Sequence, residues 1–250
     1  MRGTALSSWL PFRGSGRGVS VLCLPHAGGA AHAYHRWARS TAYLRVDFVP
    51  VELPGRGSRV AEAPATDLGA LTEELADVVD AHAAETGRPY ALFGHSMGGM
   101  LAYNVAVRLA ETSRPGPACL IVSGCRPPQR PRAIDLNSFD DDTLVTTLLR
   151  IGGLPEAVAA DAELLAMVLP AMRADLALFA GYRRSGPPLP TPIIAMAGTR
   201  DPLAQPQYQQ EWQPHTSREL ILRVFRGGHF YLHDIPDEVM LEIDRSIGNL

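Results

Sequence analysis

The segment Gly94-His95-Ser96-Met97-Gly98 organises this chain of 250 residues. It follows the apolar run Tyr90 to Phe93, which predicts a buried strand, and precedes Met100 to Ala110, which predicts a helix. So tight a turn between a strand and a helix strains the serine backbone. It also leaves no space for a Cβ two residues before or after the serine, so both positions must be glycine. We therefore predict that the turn lifts Ser96 Oγ clear of a sheet, beside the first turn of a helix.

A serine activated in this way needs a general base, and His229 is the best placed of the eight histidines. It follows the strand-like run Leu220 to Phe225 and the flexible Arg226-Gly227-Gly228. Loops at the carboxyl ends of strands are where an α/β sheet presents its catalytic groups. His233 is the competing base, but it is predicted to lie in the next turn or helix.

The carboxylate that orients the base is predicted to be Asp201. The apolar run Pro192 to Ala197 predicts a strand, and Asp201 lies just beyond its carboxyl end. An aspartate before a proline can also serve only as a turn or helix cap, which stays an alternative. Asp234 and Asp237 compete for the role, although they follow the histidine and are expected at the start of the last helix.

The order of these groups along the chain is itself informative. Ser96, Asp201 and His229 occur in the order that the α/β-hydrolase fold requires, and the Gly-x-Ser-x-Gly turn has the form of its nucleophile elbow. The sequence therefore predicts acyl transfer to a serine, which needs no metal ion and no redox cofactor.

Two backbone N–H groups should hold the oxyanion that forms during acyl transfer. The first is the N–H of Met97, at the N-terminus of the predicted helix. The second is expected from Ala27, in the glycine-rich loop Pro25 to Ala30 that follows the predicted strand Val19 to Leu24. That loop could instead be a plain turn leading into a helix near Tyr34 to Arg39, and the two interpretations are compatible.

Several motifs resemble those of the type II thioesterases, the free-standing editing enzymes of polyketide and nonribosomal peptide synthases. They cover nearly the whole chain from about Leu22, in the order found in that family: Leu24-Pro25-His26-Ala27-Gly28-Gly29, Leu53-Pro54-Gly55-Arg56-Gly57-Ser58-Arg59, Phe93-Gly94-His95-Ser96-Met97-Gly98, Leu169-Pro170-Ala171-Met172-Arg173-Ala174-Asp175 and Gly227-Gly228-His229-Phe230. Two departures lie on the helix after the serine, Gly99 where that family often has alanine and Asn104 where it often has glutamate.

The resemblance implies the substrate class and the partner. In that family the acyl group hangs as a thioester on the phosphopantetheine arm of an acyl or peptidyl carrier protein, and aberrant acyl groups are removed so that synthesis restarts. It also implies a monomer. Two alternatives stay open from the residues: a general carboxylesterase or lipase of the same fold, and a non-catalytic protein that binds acyl groups or carrier proteins.

Composition bounds these interpretations. A chain of 250 residues with 46% hydrophobic content predicts one globular domain with a sizeable core. Together with the motif order and the resemblance, this predicts a single α/β-hydrolase domain over 1–250. A net charge of −3 does not indicate a surface that binds nucleic acid. No apolar run in the sequence is long enough to span a bilayer. The basic cluster Arg126 to Arg132 is expected to be a solvated loop or a contact for an acidic carrier protein. Three cysteines without metal spacing fit a reducing cytoplasm, and Cys125 is expected to be the most accessible.

Alternating strand and helix patterns with near-continuous apolar strands predict a mostly parallel central sheet with helices on both faces. The segment 135–184 breaks the alternation, because its patterns are helical only. We predict a helical lid inserted between two strands, one face of which lines an acyl pocket, with Gly152-Gly153 as hinge. Alternatively, its apolar residues simply pack against one another. The candidates for the pocket are Leu148, Leu164, Met167, Val168, Met172, Leu176 and Phe179.

Overall fold

The computed structural model describes residues 2–249 except 13, 15, 41, 44, 131–134 and 185. The strands in these residues are β1 (Val19–Leu24), β2 (Val46–Pro50), β3 (Tyr90–His95), β4 (Leu120–Ser123), β5 (Ile193–Gly198) and β6 (Leu220–Phe225). The α-helices are α1 (Arg2–Trp9), α2 (His35–Ala38), α3 (Leu68–Thr86), α4 (Met97–Glu111), α5 (Asp141–Ile151), α6 (Glu156–Ala159), α7 (Ala162–Leu178), α8 (Tyr231–Asp234) and α9 (Pro236–Gly248). Short 3₁₀ helices cover Ala31–Tyr34, Gly57–Arg59, Leu136–Ser138 and Pro206–His215.

The six described strands form one sheet in the order β2-β1-β3-β4-β5-β6. Every neighbouring pair is parallel, so the predicted α/β architecture is confirmed. The chain runs outward from β1 to β2 and then crosses back to β3 on the other side of β1. In open parallel sheets, ligands bind beyond the carboxyl ends of the strands where the strand order reverses in this way. Here that point lies between β1 and β3, where Leu24 pairs with Gly94.

The apolar strands divide their side chains between two cores, because successive residues of a strand point to opposite faces of the sheet. In β1 and β3, Leu22 and Leu92 join one core, whereas Val21 and Phe93 join the other. Helices α3 and α4 cover the first face, and α2 and α9 cover the second. The sheet is therefore buried on both sides, which explains the near-continuous apolar runs in its sequence.

Helix α3 shows how closely the local sequence dictates an element. Its apolar residues at steps of three and four, among them Leu71, Leu75 and Val78, are buried in the first core. The Asp67 side chain caps the helix by accepting the Ala70 N–H at 2.9 Å. Gly87 ends it in the left-handed region, with φ of 62°. Both ends of the helix are therefore set by residues of the local sequence.

The helical insertion, residues 135–184, lies along the chain between β4 and β5 and contains no strand. Asp140 caps α5 by accepting the Thr143 N–H at 2.8 Å, and Gly152 ends it with φ of 80°. The insertion has a small apolar core of its own, comprising Leu136, Leu144, Leu148, Leu154, Met172 and Leu176. The apolar residues of the insertion therefore pack against one another, as one of the two interpretations of the sequence predicts.

Candidate active site

The turn between β3 and α4 has the strained geometry that its sequence predicts. Ser96 lies at φ 54° and ψ −115°, and its N–H donates to the Ser123 carbonyl at 2.7 Å. A Cβ at Gly94 would lie 1.9 Å from the Gly98 carbonyl oxygen. A Cβ at Gly98 would lie 2.2 Å from the carbonyl oxygen of Leu24. Neither position tolerates a side chain, so the two glycines are what permit Ser96 to sit between strand and helix.

Two backbone segments meet beside Ser96 because β1 and β3 are neighbours in the sheet. Ser96 is the N-cap of α4, so Met97 supplies the first N–H of that helix, where the helix dipole favours negative charge. Ala27 belongs to the loop that leaves β1, and it lines the same pocket as Ser96 and Met97. The structure thus brings both predicted oxyanion donors to one place.

Asp201 and His229 are also adjacent, because they follow the neighbouring strands β5 and β6. Asp201 Oδ2 lies 2.8 Å from His229 Nδ1, and each residue is only 2% exposed. The other carboxylate oxygen, Oδ1, accepts the N–H groups of Leu203 at 2.8 Å and Ala204 at 2.9 Å. Asp201 therefore caps a turn and orients the imidazole at once, one oxygen for each.

The electrostatics of Asp201 favour its ionised form. Burial alone would raise the pKa of this carboxyl group. The hydrogen bond with His229 and the two backbone N–H donors outweigh burial and hold the pKa below its usual value. The carboxylate therefore stays charged at neutral pH and can stabilise a positive charge that develops on His229.

Ser96 and His229 line one pocket. Among the described residues the structure records no hydrogen bond between Ser96 Oγ and the imidazole. In serine hydrolases this contact often tightens only when substrate binds.

The competing candidates lie elsewhere. His233 and Asp234 are exposed, and neither is among the residues that line the pocket. Asp237 is an exposed residue of α9 that pairs with Arg36 at 2.6 Å.

Two further histidines surround the His229 ring. The His95 ring centroid lies 4.9 Å from that of His229, and His95 Nδ1 lies 2.9 Å from Ser123 Oγ. Burial, reinforced by His229, holds the pKa of His95 well below its usual value. Burial likewise lowers the pKa of His26 to about 3. Both rings are therefore neutral at physiological pH. The contact of His95 with Ser123 joins residues 28 apart and has no local signal in the sequence.

The helical insertion contributes one wall of the pocket that contains Ser96. Of the predicted residues, Leu148, Met172, Leu176 and Phe179 line it. Six further residues of the insertion also line it and were missed: Leu136, Ile151, Gly153, Asp175, Tyr182 and Arg183. Most of the side chains in this wall are apolar, and Met172 can adapt to ligands of different shape.

The pocket prediction is wrong for three residues of α7. Leu164 is 43% exposed and Met167 is 59% exposed, so both face solvent. Val168 is half-buried against the core of the insertion and does not line the pocket. The physical reason is that α7 is apolar on more than one face. Only its second half, around Met172 and Leu176, is turned toward Ser96.

Polar groups also reach this pocket. Arg126, Arg130 and Arg183 line it, and the guanidinium groups of the first two lie 4.7 Å and 4.2 Å from the Tyr208 ring centroid. Arg132, the last residue of the predicted basic cluster, lies outside the described residues. Cys125 lines the pocket as well and is 4% exposed, against 0% for Cys23 and Cys119, so it is the most accessible of the three cysteines although it is buried.

The two departures from the family pattern have local explanations. A Cβ at Gly99 would lie 2.8 Å from the Cβ of Cys125, so Cys125 occupies the space that an alanine would need. Asn104 donates to the Met100 carbonyl at 2.7 Å and accepts the Tyr182 hydroxyl at 2.6 Å. Asn104 thereby joins α4 to a residue of the pocket wall.

The described residues contain no helix long and apolar enough to cross a membrane. In the same residues, no group of three or more histidine, cysteine, aspartate or glutamate side chains is placed to hold a metal ion.

Comparison with known proteins gives the family. Residues 20–247 match the thioesterase domain family. The chain is 37% identical over 236 residues to a probable cadicidin biosynthesis thioesterase of Streptomyces griseus, covering 92% of this chain. It spans 62% of the length of that relative.

Solved structures agree. The type II thioesterase BorB from the borrelidin biosynthetic cluster is 36% identical, with a TM-score of 0.83 over 96% of this chain and 98% of that one. YbtT, a type II thioesterase from the yersiniabactin NRPS/PKS pathway, is 27% identical, with a TM-score of 0.84 over 94% and 95% of the two chains. The chain therefore belongs to the thioesterase family, among the α/β-hydrolase-fold relatives that serve polyketide and nonribosomal peptide pathways.

Proposed function

We propose that this thioesterase works through an acyl-enzyme on Ser96. His229, held in the productive tautomer by Asp201, takes the proton of Ser96 Oγ while the oxygen attacks the thioester carbonyl. The observation that carries the proposal is the buried 2.8 Å contact between Asp201 and His229 in the pocket that also contains Ser96.

The N–H groups of Met97 and Ala27 stabilise the oxyanion of the tetrahedral intermediate. Loss of one such donor typically lowers the rate by about 10²–10³-fold. The departing thiol has a pKa of about 8.5 and leaves readily, so acylation needs little help from a general acid. His229 then activates a water molecule, which releases the acid and restores Ser96.

The substrate is an acyl group on the phosphopantetheine arm of an acyl or peptidyl carrier protein. The aliphatic wall of the helical insertion accepts the acyl chain, and the insertion serves as a lid over it. Arg126, Arg130 and Arg183 suit the phosphodiester of the arm and the acidic surface of a carrier protein. The biological role is the removal of aberrant acyl groups that stall a synthase.

The setting of this activity is the cytoplasm. Cys23 and Cys119 are free thiols in the core and Cys125 is also buried, which fits a reducing compartment. We expect the protein to act as a monomer, which size-exclusion chromatography with light scattering would test.

The decisive variant is Ser96→Ala, assayed on acyl-carrier thioesters. We expect hydrolysis to fall by at least about 10³-fold, together with loss of labelling by a fluorophosphonate. Ser113→Ala is the matched control, because Ser113 is exposed and has a positive φ of 56°, so that change repeats the backbone strain without touching the pocket. A Ser96→Ala enzyme that keeps a tenth of the wild-type rate would refute the proposal. A wild-type preference for matched oxygen esters would indicate a carboxylesterase instead.

A further inference from the structure

Asp175 of α7 is a buried carboxylate outside the proposed triad. It is 1% exposed and lies in the wall of the pocket. Its Oδ2 accepts the N–H of Gly28 at 2.8 Å, and its Oδ1 accepts an N–H of the Arg56 guanidinium at 2.8 Å. A second guanidinium nitrogen of Arg56 also donates to Oδ2. A side chain of the helical insertion thus binds the backbone of the loop after β1.

Arg56 also bonds to this loop. It is 5% exposed, and besides Asp175 it donates to the carbonyl oxygens of Pro54 at 3.2 Å and Gly29 at 3.4 Å. The loop therefore receives one hydrogen bond at the Gly28 N–H and one at the Gly29 carbonyl, both from a single buried ion pair. Such a pair contributes little to stability by itself, because desolvation offsets the attraction of the charges. The ion pair instead fixes the position of the loop backbone at Gly28 and Gly29.

Gly28 is the residue directly after Ala27, the proposed oxyanion donor. Its φ of 72° would strain a residue with a side chain, and a Cβ there would lie 2.7 Å from Met172 Cε. Met172 lines the acyl pocket, and Asp175 lies three residues further along the same helix. One helix therefore forms part of the acyl wall, packs against the loop and holds its backbone.

We propose that Asp175 is a positioning residue, which acts through Gly28 to aim the Ala27 N–H at the substrate oxygen. The oxyanion hole is then complete only when α7 packs against the loop. The same helix therefore supports both the binding of the acyl chain and the stabilisation of the transition state. This inference rests on the proposed function of Ser96 and Ala27. A misplacement of about 1 Å in such a site can lower the rate about 10²-fold.

The test separates transition-state binding from ground-state binding. An alkyl boronic acid adds to the serine and places an oxygen in the oxyanion hole, whereas an alkyl thioether of N-acetylcysteamine occupies the acyl pocket without reacting. The double variant Arg56→Met/Asp175→Leu replaces the ion pair by apolar groups and leaves no unpaired buried charge. We expect its kcat and its boronate affinity to fall together by about 10–100-fold, with thioether affinity within about threefold of wild type.

Asp141→Asn is the matched control, because the Arg173–Asp141 pair (2.6 Å) also involves α7 but lies on the exposed surface. That variant should keep wild-type kcat and boronate affinity. Asp175→Asn, which preserves the shape of the side chain, gives the same readout if the double variant does not fold. Unchanged boronate affinity overturns the inference, and so does an equal loss of boronate and thioether affinity, which would show a merely structural role. If Ser96→Ala retains activity and wild type does not bind the boronate, the proposed function itself has failed.

Discussion

At the scale of single residues, the site depends on atoms that have two roles. Asp201 uses one carboxylate oxygen for a turn and the other for His229. Gly94 and Gly98 are required by carbonyl groups 1.9 Å and 2.2 Å from where a Cβ would stand, and not by flexibility. The chemistry and the local fold therefore cannot be varied separately at these positions.

Asp201→Asn tests whether the two carboxylate oxygens of Asp201 have separate roles. The amide can still accept the N–H groups of Leu203 and Ala204, so we expect little loss of stability. It favours the wrong tautomer of His229, and kcat should fall by about 10⁴-fold in an assay of thioester hydrolysis. Asp140→Asn, which changes an exposed helix cap, should leave kcat unchanged. A loss of less than tenfold for Asp201→Asn would mean that His229 is oriented by another group.

At the scale of elements, α7 has two different halves. Its first half carries exposed apolar residues. Its second half packs against the loop after β1 and lines the pocket that contains Ser96. Met167 and Met172 are the same residue type on the same helix, with exposures of 59% and 2%. They therefore form an internal comparison of surface and pocket positions.

Met172→Ala should lower the free energy of unfolding by about 2–5 kcal/mol, because it leaves a cavity between α7 and the loop. It should also raise KM for acyl chains that reach this wall. Met167→Ala should change the free energy of unfolding by less than about 0.5 kcal/mol. Urea denaturation and steady-state kinetics on both variants check the prediction. Equal effects from the two substitutions would show that the halves of α7 are not distinct.

At the scale of the whole molecule, acid should destabilise the protein through its buried histidines. Burial lowers the pKa of His26, His82 and His95. Below pH about 6.5 the unfolded chain binds protons at these residues that the folded protein does not. The free energy of unfolding therefore falls as the pH drops from about 6.5, by up to about 1.4 kcal/mol per pH unit for each such histidine. Asp201 acts in the same direction below pH about 3.8, because its pKa is also lowered in the folded state.

His26→Gln isolates one contribution to this acid sensitivity. Burial is the main cause of the lowered pKa of His26, and the charges of His233, His229 and the Arg56 guanidinium lower it further. The variant should show a shallower fall in the free energy of unfolding between pH 7 and pH 5 in urea titrations. His32→Gln, at an exposed position, should follow wild type. A wild-type free energy of unfolding that is constant over this range would contradict the prediction.

Much of this molecule could be predicted from its sequence, because the signals are local. Strand runs, the Asp67 and Gly87 boundaries and the glycines around Ser96 follow from neighbouring residues alone. The proposed triad followed from where strands end. The ion pair between Arg56 and Asp175 could not be predicted, because a contact between residues 119 apart has no local pattern. The exposure of Leu164 and Met167 was missed for a related reason, since periodicity shows that a helix is apolar on two faces but not which face is covered.

The helical insertion leaves the sheet after β4 and returns at β5, so its length and composition can vary without disturbing strand pairing. Under the proposed function, exchanging the helical insertion for that of a relative would therefore change which acyl groups fit, while Ser96, Asp201 and His229 stay in place. Such an exchange should keep a carboxylate at the position of Asp175. An insertion without it would change the pocket and would also leave the Gly28 N–H without the partner that holds the loop after β1.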